Sequence, residues 1–201
     1  RPGIEAPRCS VLVLLDLSAS TGDVAAGSTQ PLLAVEQQAA LLLARAAQAG
    51  HDRIAIHGFA SNTRAAVQYL RLLDFGTPLD AAHAQRILGT RAAGSTRIGA
   101  ALRHATRCLL AEPAGQRAIV LITDGAPSDI DVFDTRYLTA DARAAVLAAR
   151  RLGVQCHGLV VDPGADAYVR RIFGWRNYRV AQTAAQLPRQ LGELYDRLAA
   201  R

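Results

Sequence analysis

Three stretches constrain this chain more than any others: "VLVLLD" closing on Asp16, "AIVLITD" closing on Asp124 and "GLVVD" closing on Asp162. Each is an apolar, branched run that ends in an aspartate. Runs of this kind, with no apolar/polar alternation, read as strands buried on both faces, as in a parallel sheet. Helical patterns separate them: "LLAVEQQAALLLARAAQAG", with Gly50 as the expected C-cap, a helix over Ile98–Leu110, and "DARAAVLAARRLG". Residues 53–60 alternate and form a further strand, and residues 67–75 follow after the short polar turn "SNTR", which suits an antiparallel edge strand. Further helices run through "PLDAAHAQRIL", "ADAYVRRIFG" and "AQLPRQLGELYDRLAA", and "YRVA" supplies a short last strand. The expected fold is α/β, a mostly parallel central sheet of about six strands with helices on both faces. Its length, 201 residues, suits one domain with one sizeable core.

Ligands of open parallel sheets sit outside the carboxyl ends of the strands. Asp16 and Asp124 both lie there, and the "GSTRIG" loop opens onto the same edge because it leads into the helix before the Asp124 strand. In "DLSAS" the polar groups Asp16, Ser18 and Ser20 fall at every second position, so an extended backbone points them to one side. Thr96 adds a hydroxyl and Asp124 a second carboxylate. All five donors are oxygens, which suits a hard cation such as Mg2+, with Mn2+ or Ca2+ as alternatives and water completing the shell. Zinc would call for His or Cys, and these loops contain neither. Two charged and three neutral ligands leave the ion electrophilic, with room for one more anionic oxygen.

A DxSxS string alone is weak evidence, and serine and aspartate at a strand end are common turn and capping residues. The specific signal is the ordered set: the acid at a strand end, then "GSTRIGAAL", then "ITDG". In that order the residues resemble the metal-ion-dependent adhesion site of the von Willebrand factor A domain family, written DxSxS, then Thr in a TxxG-like loop, then Asp in a TDG segment. The resemblance implies a Rossmann-like sheet with a metal on its upper rim. Ser18, Ser20 and Thr96 would bind it directly or nearly so, and Asp16 and Asp124 would often act through water.

A closer likeness spans nearly the whole chain. "DLSAST", "ALLLARAAQAGHDRIAIHGFAS", "STRIGAALRHA", "LITDGAPSDIDVFDTRYLTADARAAVLAAR" and "YVRRIFG" together resemble the carboxy-terminal domain of the NorD/CbbO group. Members of that group are adaptors that work beside a MoxR-type AAA+ ATPase, in Rubisco activation or in the maturation or activation of nitric oxide reductase. The resemblance implies a non-enzymatic domain that grips an acidic side chain of a target protein, while another part of the protein docks the ATPase. The chain opens "RPGIEAPR" without Met, so residues 1–201 are expected to be a single A domain, the carboxy-terminal part of a longer adaptor.

Two rival classes remain open: an enzyme using Asp16, Asp124 and a metal for hydrolytic or phosphoryl-transfer chemistry, and a nucleic-acid-binding A domain. All 23 basic residues are Arg, so a P-loop lysine, a Schiff-base lysine and a Ser-Lys dyad are excluded. A haloacid-type phosphatase would want Asp where Ser18 stands, and GxSxG is absent. The net charge of +6 is spread along the chain and not gathered in a stripe, so no nucleic-acid partner is expected. Cys9, Cys108 and Cys156 form no CxxC pair and read as thiols in a reducing compartment, and no apolar run is long enough to span a bilayer, so a cytoplasmic protein is expected. His57 and His104 read as packing residues, and Cys156 and His157 point to opposite faces of one strand. Asp129, Asp131 and Asp134 suit further metal ligands or, the favoured reading, capping and turn residues of the next helix, and are left out of the ligand set, while Arg97 suits either an acidic partner or a nearby carboxylate. Trp175 suits either an exposed contact or a local plug.

Overall fold

The first strand, β1 (Cys9–Asp16), is buried along its whole length, and its alternating side chains feed two different cores. Val11, Val13 and Leu15 enter one, and Leu12 and Leu14 the other. An uninterrupted apolar run is what such a strand needs, because neither face meets water. The computed structural model describes residues 9–25, 27–113, 115–162 and 164–200. The opening residues, on which the expectation of a preceding region rests, lie outside the described residues.

After β1 come α1 (Leu32–Ala49), β2 (Arg53–Thr63), β3 (Ala66–Leu73), α2 (Ala81–Leu88) and α3 (Ile98–Leu110). The order continues with β4 (Gln116–Thr123), α4 (Thr135–Arg151), β5 (Val154–Val160), α5 (Asp166–Phe173), β6 (Tyr178–Val180) and α6 (Leu187–Ala199). Among the described residues the six strands form one sheet in the order β3-β2-β1-β4-β5-β6. Every pairing is parallel except the β2–β3 hairpin at the edge. One face packs against apolar residues of α1, α2 and α6, the other against those of α3, α4 and α5. No helix among the described residues is long and apolar enough to cross a membrane.

The strand order places β1 beside β4, with Leu15 opposite Ile122. The chain therefore leaves β1 at Asp16 and β4 at Thr123 side by side on the same edge. Between these two strands the winding direction changes: β2 and β3 are added on one side of β1, β4 to β6 on the other. This is the crevice position at which open sheets bind ligands.

Three local details differ from the sequence reading. β2 runs on to Thr63, because Ser61 and Thr63 continue pairing with β3 through a register shift, leaving only Arg64 and Ala65 for the turn. Helix α1 does end at Gly50, but the left-handed backbone belongs to the next residue, His51, at φ 62°. Ser20 does not extend the alternation of Asp16 and Ser18: it lies in a 3-10 turn, Ala19–Gly22, that begins as soon as β1 has ended.

Candidate metal centre

Asp16 ends β1 completely buried, and its carboxylate is the hub of the rim. Oδ1 accepts the Ser18 backbone N–H at 2.9 Å and the Thr96 hydroxyl at 3.4 Å, and Oδ2 accepts the Thr123 hydroxyl at 2.6 Å. The Ser18 and Ser20 hydroxyl oxygens stand 3.2 Å apart, and Ser20 donates to Asp124 Oδ1 at 3.0 Å. The five residues singled out in the sequence thus meet at one place, linked by side-chain hydrogen bonds into an Asp16–Thr96 pair and a Ser18–Ser20–Asp124 chain. Ser18 and Thr96 are buried, whereas Ser20 is exposed, so the group opens to solvent on the Ser20 side.

The Thr96 loop is held from three sides by backbone hydrogen bonds. Ala93 N–H donates to Leu17 C=O at 2.7 Å, and Ala19 N–H donates to Gly94 C=O at 2.9 Å. Ser61 and Ser95 exchange a pair of bonds at 2.8 and 2.6 Å, as do Thr96 and Ser128 at 2.9 and 3.1 Å. Gly94 is required in this weave: its φ is +78°, and a Cβ there would lie 2.5 Å from the Ser61 carbonyl oxygen. Beside Thr96, Arg97 is almost fully buried, with Nε donating to Asp129 Oδ2 at 2.8 Å and an Nη to Asp131 Oδ1 at 2.5 Å. Asp129 also accepts from the Ser61 hydroxyl and the Ile130 N–H, each at 2.8 Å. Of the two readings of Arg97, the nearby carboxylates hold. Asp129 is a buried anchor for three loops, and Asp134, not Asp129, caps α4 through the Arg136 N–H.

Electrostatically the site is a concentration of uncompensated acid. Burial pushes the Asp16 carboxyl up to about 6, with the Thr123 and Ser18 hydrogen bonds pulling the other way. Burial also raises Asp124, opposed by its bond from Ser20 and reinforced by the charges of Asp23 and Asp162. Glu36, on α1, is raised well above the usual carboxylate range by burial and then by the charges of Asp16 and Asp124. Among the described residues, no ion pair reaches Asp16, Asp124 or Glu36. Next to the five residues lies a cleft of about 250 Å³, whose polar lining includes Ser20, Asp23, Asp124, Asp162 and Gln182.

Oxygen donors with excess negative charge and no basic partner suit a hard divalent cation. Among the described residues no three His, Cys, Asp or Glu side chains gather as a metal cluster, so a cation here would rely on hydroxyls as much as on carboxylates.

Thr123 and Glu36 were missed in the sequence. Thr123 precedes Asp124 by one residue and so points to the opposite side of β4, the side shared with Asp16. Glu36 was signalled only by being an acid on the Leu32/Leu33/Ala40 stripe of α1. The other residues weighed in the sequence lie away from the rim. His57 is a buried core histidine, 2.8 Å from the Tyr69 hydroxyl and 3.3 Å from Asp74. Cys156 is buried in the core on the α3–α5 side. Trp175 is exposed, with the Arg170 guanidinium 3.6 Å from its ring centroid.

Residues 11–126 match the family model described as von Willebrand factor type A domain. The chain is 35% identical over 190 residues to Protein NorD of Brucella melitensis biotype 1, a match covering 94% of this chain and 30% of that protein. It therefore spans about 30% of the length of the curated relatives it matches. Its fold is similar to the vWF domain of the type V pili tip protein Mfa5 from Porphyromonas gingivalis, with a TM-score of 0.74 at 14% identity over 96% of this chain and 95% of that one. It is also similar to the pilus adhesin SpaC from Lactobacillus rhamnosus GG, with a TM-score of 0.70 at 15% identity over 97% of this chain and 31% of that one.

Proposed function

Because the chain belongs to the von Willebrand factor type A domain family, we propose that it is a cation-dependent protein-binding domain whose rim, built on Asp16, Ser18, Ser20, Thr96 and Asp124, grips an acidic side chain of a target protein. The observation that carries this reading is the linkage of those five side chains at the crevice between β1 and β4, with an excess of buried negative charge that lacks a protein counterion. Mg2+ is the expected ion, with Mn2+ or Ca2+ as alternatives. When bound, it would supply a positive centre able to take one further anionic oxygen.

The protein's own residues do the rest. Asp16, fixed by the Ser18 N–H and the Thr123 hydroxyl, holds its carboxylate at the bottom of the site. Ser18, Ser20 and Thr96 offer neutral oxygens, which leave an ion incompletely neutralised. The Leu17–Ala93 and Ala19–Gly94 bonds tie the Thr96 loop to the chain leaving β1, and those through Ser61, Ser95 and Ser128 tie it to β2 and the loop after β4, so the donors are preorganised. Asp23, Asp124 and Asp162 line the neighbouring cleft and would repel an acidic partner when no cation is present. Binding is thereby made conditional on the ion.

We read the chain as one domain of a longer cytoplasmic adaptor that works with a MoxR-type AAA+ ATPase. The 35% identity to Protein NorD favours the NorD side of the resemblance, and with it nitric oxide reductase over Rubisco as the target enzyme. The test is genetic and biochemical. Asp16→Ala or Ser18→Ala in the full-length protein should abolish activation of the target while the circular dichroism spectrum is retained; full activation by both variants would overturn the proposal. Turnover of phosphate esters by the chain with Mg2+, lost in Asp16→Ala, would instead identify an enzyme.

A further inference from the structure

Glu36 is a buried acid near the site with no role among the five donors. It lies in the second turn of α1, fully buried, and neither carboxyl oxygen has a hydrogen-bond partner. A buried carboxyl without a partner is costly and needs an explanation. Packing alone gives a weak one, since Leu or Met would fill the same space on this stripe at lower cost.

Its position points to the rim. Helix α1 packs against both β1 and the Ala19–Gly22 turn that carries Ser20. Leu32, one helical turn before Glu36 on the same stripe, lines the cleft together with Ser20 and Asp124. Of the charges around Glu36, those of Asp16 and Asp124 act on it most. Yet Glu36 does not join them in a three-carboxylate cluster. It is thus not one of the donors themselves, and carboxylates outside the donor set orient water and ligands around an ion.

We propose that Glu36 is a positioning residue of the cation centre, a third carboxylate held behind Asp16 and Asp124 that strengthens the hold on a divalent cation. The inference rests on the cation-binding reading of the rim and adds to it a residue outside the adhesion motif. It gives the orphaned oxygens a role: their partner is the hydrated cation. It also explains why an acid is kept on an otherwise apolar stripe.

The test is titration of the chain with Mg2+ and, separately, Mn2+ by calorimetry, using the wild type, Glu36→Gln, Glu36→Met and Asp16→Ala. Unfolding midpoints are measured in parallel in EDTA. The expected result is a Kd for the cation raised about tenfold to a hundredfold in both Glu36 variants, with midpoints in EDTA equal to or above wild type and binding lost in Asp16→Ala. A purely structural Glu36 would shift the midpoints and leave the Kd unchanged, and that result would overturn the inference while sparing the cation reading. Failure of both neutral variants to fold would overturn it as well, since the core would then require the carboxyl. Absence of saturable binding of either ion to the wild type would overturn the cation reading and this inference together.

Discussion

Replacing Asp16 by Asn should make the cation-free protein more stable at neutral pH and not at acid pH. In the folded protein burial raises the Asp16 carboxyl to about 6 from its ordinary 3.8. Between those values the folded chain holds a proton that the unfolded chain has released, so stability falls as pH rises through this window. A shift of about 2 units corresponds to about 3 kcal/mol, present in full above pH 6 and absent below about pH 4. Asn keeps the geometry: its Oδ1 accepts the Ser18 N–H, and its amide donates to the Thr123 hydroxyl, which can turn to the Gly125 carbonyl at 3.4 Å. Allowing about 1 kcal/mol for the Thr123 hydroxyl bond, which Asn replaces less well than the protonated carboxyl does, Asp16→Asn should be less stable than wild type by about 1 kcal/mol at pH 4 and more stable by about 2 kcal/mol at pH 7. His57, lowered to about 4 by burial, loses stability in the opposite sense as pH falls from 6.5, but both proteins carry it and it cancels in the difference. The assay is urea denaturation in EDTA at pH 4, 5, 6 and 7, repeated at pH 7 with excess Mg2+, where wild type alone should gain. A stability difference that stays constant from pH 4 to 7 would refute the burial of an uncompensated carboxylate at this position.

Other perturbations probe the frame around the site. Asp129→Ala leaves the Arg97 guanidinium buried with only Asp131 as counterion, and should cost about 3 kcal/mol or more by chemical denaturation. Gly94→Ala brings a Cβ within 2.5 Å of the Ser61 carbonyl oxygen at a left-handed φ. It should cost about 1–3 kcal/mol and also weaken cation binding in calorimetry, because Thr96 is two residues away. Tyr195→Phe removes a 2.7 Å hydrogen bond to the buried Asp52 carboxylate and should lower stability by about 1–3 kcal/mol. Measured cation affinity should not change in that variant, since α6 lies away from the rim.

Much of the fold was legible because buried parallel strands have a distinctive composition. β1, β4 and β5 were visible as apolar runs, and the bounds of α3 followed from its periodicity. Asp16, Thr96 and Asp124 were legible as strand-end and loop residues once the topology was assumed. What escaped depends on contacts between distant segments. Ser20 continues the alternation of Asp16 and Ser18 in sequence, but Thr21 is fully buried and its hydroxyl bonds back to the Ser18 carbonyl at 2.8 Å, curling the chain into a 3-10 turn. The choice between partners for Arg97 could not be made locally, because Asp129 and Asp131 return to it from beyond β4. Glu36 was hidden because an isolated acid in a helix normally faces water, and only the packing of α1 against the end of β1 shows otherwise.

The hydrogen bond from Thr123 to Asp16 joins residues 107 apart in the chain. At about 5–20 residues per second, ribosomes need of order ten seconds to make the intervening segment. During that interval Asp16, Ser18 and Ser20 already exist as a sequence but not as an assembled rim. A nascent or partly unfolded chain therefore lacks the rim on which the proposed adhesion depends. Peeling β4 from β1 would disconnect Thr123 and Asp124 from Asp16 while leaving the β1–β2 ladder intact, so the rim can come apart without loss of the whole sheet. An assembled rim thus certifies that the centre of the domain has closed.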